Sequence, residues 1–303
     1  MNDNVLKGVL TFMVIQGGLW AGDLGEGGQG IVGICFTLPF IFLSGYAGQI
    51  ADRYSKRTVT MWVKVIEIPI VILAGIGFMM GSLWVTLLAL LALTCQSSFF
   101  GPAKYGMIPE LVDASDLSRA NGTINMMTNV AVIVGTLVAG VVSTAYFHEQ
   151  TRGLIWLPIV VLVLIAIAGL ASAFLLTPLP AGDRDAKFDF NPLTTYVTTV
   201  REMSKTRLLM VMMAWGYFYL LAGIALFIVP EYTAVLKISS TEASMLMGVL
   251  GVSIGVGCAV AGLISGHRIE PRLIPIGAAG LVVFFALLSL VPPSLPDMQP
   301  MVR

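Results

Sequence analysis

The sequence predicts an all-α membrane protein, a bundle of nine apolar helices, and three observations carry that prediction. Hydrophobic residues make up 57% of the chain, charged residues 11%, and the mean hydropathy is +0.89, far from the ~25% charge of a soluble domain. Charge-free runs recur at spanning length. The clearest, Gly27 to Ala51, has 25 residues, enough to cross a hydrocarbon core of ~30 Å as a helix. The basic residues also alternate in position: the loops after helices 2, 4, 6 and 8 hold twelve Lys or Arg, the loops after helices 1, 3, 5 and 7 only Arg152 and Lys237. That bias puts the even-numbered loops and the amino terminus in the cytoplasm. A formal net charge of zero gives no footprint for nucleic acid.

The helices follow in order. Residues 8 to 22 are free of charge, so a first span of ~20 residues must include Met1 to Lys7, and the chain begins within its own first helix. That sets Asn2, Asp3, Asn4 and Lys7 at membrane depth, where ionisable groups face a cavity or a partner. Asp3 and Lys7, spaced i, i+4, either pair with each other or serve a cavity. Asp23 and Glu26 close this helix on the outside. The second helix is the long charge-free run, and the third runs from about Thr58 to Met80. In it Lys64 and Glu67 share a face at i, i+3 and read as a local ion pair near the interface. Gly81-Ser82 turns the chain into a fourth helix that reaches about Pro102, where glycine and proline break it. The fifth helix carries Asn121, Asn125 and Asn129 along one face. Amides exposed to lipid are costly, so that face looks inward, either lining a route or binding a neighbouring helix.

His148, Glu149 and Arg152 form an outer loop, and a sixth helix from Gly153 ends near Pro178. Residues 178–207 are the longest polar segment. Asn191-Pro192 within them is a helix start, and Leu193, Tyr196, Val197, Val200 and Met203 then share a face that excludes Arg201 and Lys205, as in an amphipathic surface helix. The seventh helix, Leu208 to Pro230, has no charge. The eighth, about Glu242 to Gly266, presents Gly248, Gly251, Gly255 and Gly262, which suit close packing. The ninth runs from Leu273 to Val291 and ends at Pro292-Pro293.

Several chemistries are excluded. No G-x-x-x-x-G-K-[ST] phosphate loop occurs, and no nucleophile, base and orienting group share a polar site, so the chain is neither an ATPase nor an enzyme. Cys35, Cys95 and Cys258 lie apart in apolar runs, unlike a disulfide or metal framework. No cofactor and no metal are expected, and there is no cleavable signal pattern.

The segment Gly48-Gln49-Ile50-Ala51-Asp52-Arg53-Tyr54-Ser55-Lys56-Arg57 resembles the loop between the second and third helices of major facilitator superfamily transporters, G-x-L-A-D-R-x-G-R-R, departing only at Ser55. Ala261 to Arg268 echoes it six helices later. The resemblance implies two parallel six-helix halves joined by a surface helix, with a substrate site at mid-membrane between them. Residues 1–177 then form the amino-terminal bundle, 178–207 the cytoplasmic linker and 208–303 helices 7 to 9 of the second half. Nine of an expected twelve helices make the sequence a fragment.

With Asn2-Asp3-Asn4, Pro102-Ala103-Lys104-Tyr105-Gly106 and Ser118-Arg119-Ala120-Asn121-Gly122 added, the chain looks like the bacterial lysophospholipid transporter family. That likeness implies a flippase carrying lysophosphatidylethanolamine-like lipid across the bacterial inner membrane by alternating access. The turn from Gly262 to Glu270 is similar to versions fused to a phospholipid acyltransferase and an acyl-carrier-protein ligase, which would lie beyond Arg303. A zwitterionic head group needs a cation for its phosphate and an acid for its amine. Lys104 and Asp3 are the candidates, with Phe99, Phe100, Asn121, Asn125 and Asn129 along the route. The alternative for Lys104 is an interfacial lysine reaching the head groups. The family implies gating by Gly48, Asp52, Arg53, Lys56 and Arg57. The seventh helix offers no basic residue, so the first half would hold the head group. Two rivals stand beside this: a proton-coupled exporter of drugs or small solutes in the same fold, with Asp3 and Glu67 carrying the proton, and an inert membrane anchor for fused lipid-acylating enzymes.

Overall fold

The computed structural model describes residues 1–15, 19–25, 27–147, 154–180, 182–183, 188–228, 239–265 and 272–289. Among the described residues the regular structure is entirely helical. The expectations for Glu26, for the His148 to Arg152 loop, for the turn after Ser265 and for Pro292-Pro293 lie outside them.

The first helix, α1, covers Asn2–Val14. Helix α2, Gly28–Arg53, starts after Gly27, which is in the left-handed region at φ 89° and has no side chain to strain there. Helix α3, Lys56–Met80, is ended by Gly81 at φ 63°, whose N–H caps the carbonyls of Gly77 and Phe78. Helix α4, Leu83–Gly106, runs four residues past the predicted stop at Pro102. A proline removes one backbone bond but does not by itself end a helix that is packed on both sides, and the break comes at Gly106. The extension carries Lys104 into the last turn of α4. A single turn, α5 at Ile108–Leu111, has Pro109 in its first turn, where the missing N–H costs nothing.

Helix α6 covers Leu117–Phe147 and α7 Leu157–Phe174. Helix α8, Pro192–Ser204, begins at the proline the sequence marks. Helix α9, Leu208–Ile228, leaves α8 at a bend of 116°. Helices α10, Ser240–Ser265, and α11, Leu273–Ser289, are the last two among the described residues. A reciprocal box opens α10: Ser239 Oγ accepts from the Glu242 N–H at 3.2 Å while the Glu242 carboxylate accepts from the Ser239 N–H at 2.7 Å.

Among the described residues five helices, α2, α3, α4, α6 and α7, are long and apolar enough to span a membrane, or six with the bent α8–α9 pair counted as one. The core lies between α1, α3, α4, α6 and α7, built from Val5, Leu6, Leu10, Phe78, Leu90, Leu93 and Leu162. The outer surface is as apolar as the inside, with Trp62, Trp84, Leu164 and Phe174 exposed, the arrangement expected when lipid is the solvent. Helix α1 meets α6 where Gly8 faces Ala139, and a Cβ at Gly8 would come within 2.6 Å of the Ala139 Cβ. At the predicted outer end Trp20 stacks on Phe78 and donates to the Gly81 carbonyl at 3.2 Å, while the Tyr146 hydroxyl donates to the Phe78 carbonyl at 2.6 Å. That ties the turn after α1, the end of α3 and α6 together. The main contact across the linker is α10 on α6, where Gly248 and Gly251 let the backbone approach Leu137 and Ile133.

Candidate functional site

The polar residues of the first bundle converge at one place. Glu67 lies 11 residues into α3, about 16 Å along its axis at ~1.5 Å per residue, so it sits at mid-span and not near the interface. It is 4% exposed. A buried carboxylate needs a partner and hydrogen bonds, and it has both: Lys64 Nζ at 2.7 Å and the side-chain amide of Asn2 at 2.7 Å. Asn2 donates also to the Leu162 carbonyl of α7 at 3.1 Å. One amide thus joins α1, α3 and α7. The expected Lys64–Glu67 pair is present, but it belongs to a three-helix network.

Lys64 extends over the ring of Phe100 on α4, 4.9 Å from its centre, and Lys104 approaches the same ring at 5.8 Å. Lys104 also lies over Tyr105 at 4.5 Å and donates to Thr128 Oγ1 of α6 at 3.1 Å. The Tyr105 hydroxyl donates to Asn125 Oδ1 at 3.1 Å. Asp3 accepts from the Asn4 N–H at 2.9 Å, from the Asn4 side chain at 3.2 Å and from the terminal ammonium at 3.0 Å. It is close enough to interact electrostatically with Lys7, Lys64 and Lys104. Lys7 itself lies over Phe36 of α2 at 4.6 Å, a cation–π contact.

Asp3, Lys104 and Asn125 are therefore neighbours of one polar centre enclosed by α1, α3, α4 and α6. The other two asparagines go elsewhere. Asn121 is exposed, and Asn129 donates to Cys258 Sγ of α10 at 4.0 Å, at the seam between the two segments. Phe99 packs below the centre against Ala51, Val59, Val63 and Ala103. Sequence reasoning missed the Asn2–Glu67 bond and the role of Thr128. The second had a signal, because residues 121, 125 and 128 follow the i, i+4, i+7 spacing of one helix face.

The loop from Gly48 to Arg57 caps the predicted cytoplasmic end. Lys56 makes an ion pair with Glu110 of α5, joining the start of α3 to the break after α4. The Asp52 carbonyl accepts from the Asp183 N–H at 3.1 Å and Ser55 Oγ donates to the Leu179 carbonyl at 2.9 Å. Arg53 lies beside Tyr54 at 5.9 Å, and Arg57 Nε is buried without a hydrogen-bond partner among the described residues. Among the described residues nothing approaches Gly48 within 4 Å of a would-be Cβ. Beyond the loop the linker runs along α2. Gln49 pairs with Asp189, donating to its carbonyl at 3.2 Å and accepting from its N–H at 2.7 Å. The Tyr46 hydroxyl donates to the Phe190 carbonyl at 2.6 Å, and Tyr196 bonds Ser44 and the Ile41 carbonyl.

Comparison with known proteins agrees with this architecture. The chain is similar to the Lysophospholipid transporter LplT of Photorhabdus laumondii subsp. laumondii, 28% identical over 275 residues, which is 86% of this chain and 63% of that protein. It is similar to the protein of the same name from Cronobacter sakazakii, 28% identical over 86% of this chain and 64% of that protein. A third, from Pectobacterium carotovorum subsp. carotovorum, is 29% identical over 36% of this chain. The chain spans under two thirds of the length of the first two. The family profile described as Major Facilitator Superfamily matches residues 6–301, and with apolar helices, a multi-pass layout and a polar centre among α1, α3, α4 and α6, the chain belongs to the Major Facilitator Superfamily of membrane transporters.

Proposed function

We propose that this protein moves a lysophospholipid, of the lysophosphatidylethanolamine kind, across the bacterial inner membrane by alternating access. The observation that carries this reading is the gathering of cations and an acid at one half-buried place: Lys64 and Lys104 share the Phe100 ring, and Asp3 lies within electrostatic reach of both. A phosphate and an amine on one head group match that pair, while the apolar outer faces of the helices leave the acyl chain in lipid. The similarity to proteins named lysophospholipid transporters supports the same substrate class. Residues 1–177 act as the first half, 178–207 as the linker and 208–303 as part of the second half, with the amino terminus cytoplasmic. Asn121 and Asn129 flank the route, and Gly48, Asp52, Arg53, Lys56 and Arg57 gate its inner end. A partner acyltransferase or acyl-carrier-protein ligase, fused or separate, would consume the lipid delivered.

The test is flipping of labelled lysophosphatidylethanolamine in proteoliposomes. Wild-type protein is expected to expose the label to an outside quencher, and Lys104→Ala to stop it. Equal leakage with and without protein refutes the proposal.

One observation favours a second reading. Glu67 is a buried carboxylate at mid-span, the kind of group that carries protons in exporters. A solute flux driven by a pH gradient, without lipid movement and abolished by Glu67→Gln, would establish it instead.

A further inference from the structure

The polar centre carries more positive charge than its own acids neutralise. Three lysine side chains, Lys7, Lys64 and Lys104, face two carboxylates, Asp3 and Glu67. Two of the lysines meet at a single aromatic ring, although they repel each other. In a bundle of low dielectric, like charges so placed are costly unless an anion comes between them. The surrounding groups are shaped for this. Gly169 of α7 presents no side chain, and a Cβ there would lie 3.5 Å from Lys64 Nζ. Glu67 is held by Asn2 independently of Lys64, so it keeps a partner if the lysine leaves.

We infer that Lys64 and Lys104 form a two-lysine clamp for the phosphodiester of the transported head group, with Glu67 as the resting counter-ion of Lys64. The inference rests on the lysophospholipid reading and adds to it a second phosphate ligand. In the empty site Lys64 is parked on Glu67. When a phosphodiester monoanion enters over Phe100, the flexible lysine stem carries its ammonium across to a phosphate oxygen. Glu67 stays bonded to Asn2, and the amine of the head group remains for Asp3.

The experiment measures equilibrium binding to the purified protein in detergent of three probes: 1-palmitoyl lysophosphatidylethanolamine, monopalmitoylglycerol, which has the chain without the phosphate, and soluble glycerophosphoethanolamine. The variants are Lys64→Arg, Lys104→Met and the double K64M/E67Q, which removes the pair together and so leaves no buried charge unmatched. The clamp predicts a loss of about tenfold or more in lysolipid affinity for both K64M/E67Q and Lys104→Met, as for a charge-assisted bond, with Lys64→Arg near wild type and monopalmitoylglycerol binding unmoved throughout. Affinity of K64M/E67Q within twofold of wild type, while Lys104→Met fails, overturns the clamp and leaves the lipid reading standing. Wild-type protein that binds monopalmitoylglycerol as well as the lysolipid overturns both. Soluble glycerophosphoethanolamine that binds as tightly as the lysolipid overturns the lipid as the source of the phosphodiester.

Discussion

Replacing Glu67 by leucine tests how the first bundle is held together. The Glu67 side chain is 5% exposed and that of Lys64 20%, so the substitution strands an ammonium in a largely dry place. Removing one partner of a buried pair costs ~3–5 kcal/mol. The lost bond to Asn2 adds ~1–3 kcal/mol, because its amide then retains only the Leu162 carbonyl. At ~2–4 °C per kcal/mol for a domain of ~150–250 residues, the unfolding midpoint in detergent should fall by at least ~8 °C. Lys64→Met alone leaves the carboxylate with only the Asn2 amide and should also lower the midpoint, but by less than Glu67→Leu, because the Asn2 bond survives. The double variant K64M/E67L removes both charges and should recover most of the loss, since a buried pair is often replaceable by apolar groups of like volume. The assay is thermal unfolding followed by tryptophan fluorescence across all four proteins of the cycle. A shift under ~2 °C for Glu67→Leu, or a double variant as unstable as the singles added together, would show that the pair is neither buried nor coupled.

Three further outcomes are expected. Gly8→Ala should destabilise by ~1–3 kcal/mol through the Ala139 clash, with Ala139→Gly in the same chain restoring the unfolding midpoint; failure of the rescue removes the α1–α6 contact. Gln49→Ala loses both bonds to Asp189 and should speed proteolysis of the 178–191 segment, whereas an unchanged cleavage rate argues against the linker lying along α2. Asn129→Cys should oxidise to a disulfide with Cys258, whose sulfur now lies 4.0 Å from the Asn129 amide. Gly251→Leu should abolish that cross-link by forcing α10 off Ile133, and a cross-link that survives it contradicts the packing of α10 on α6.

The sequence made the helices readable because lipid imposes one rule, that the backbone satisfies itself within each span, and charge-free length reports it directly. Asn191-Pro192 marked α8 for an equally local reason, a proline at a position that needs no N–H. The Lys64–Glu67 pair was visible because i, i+3 spacing fixes a shared face. What spacing could not reveal was depth and company. The distance of Glu67 from the interface depends on where α3 starts, and its bond to Asn2 joins residues 65 apart in sequence. The asparagine face was read as one surface, yet Asn121, Asn125 and Asn129 meet three different surroundings, because the α10 contact falls along only part of α6. The end of α4 was misplaced at Pro102 because local propensity was weighed without packing, which carries the helix on to Gly106.

Where a lysophospholipid sits decides the account most directly. A lysophosphatidylethanolamine bearing a photoreactive group next to its phosphate should, on illumination of the reconstituted protein, label peptides from α1, α3 and α4 around Asp3, Lys64 and Lys104. Unlabelled lysophosphatidylethanolamine should displace it and monopalmitoylglycerol should not. Labelling confined to the lipid-exposed surfaces of α9 and α11, or labelling that neither competitor changes, would contradict a phosphate-holding centre inside the first bundle.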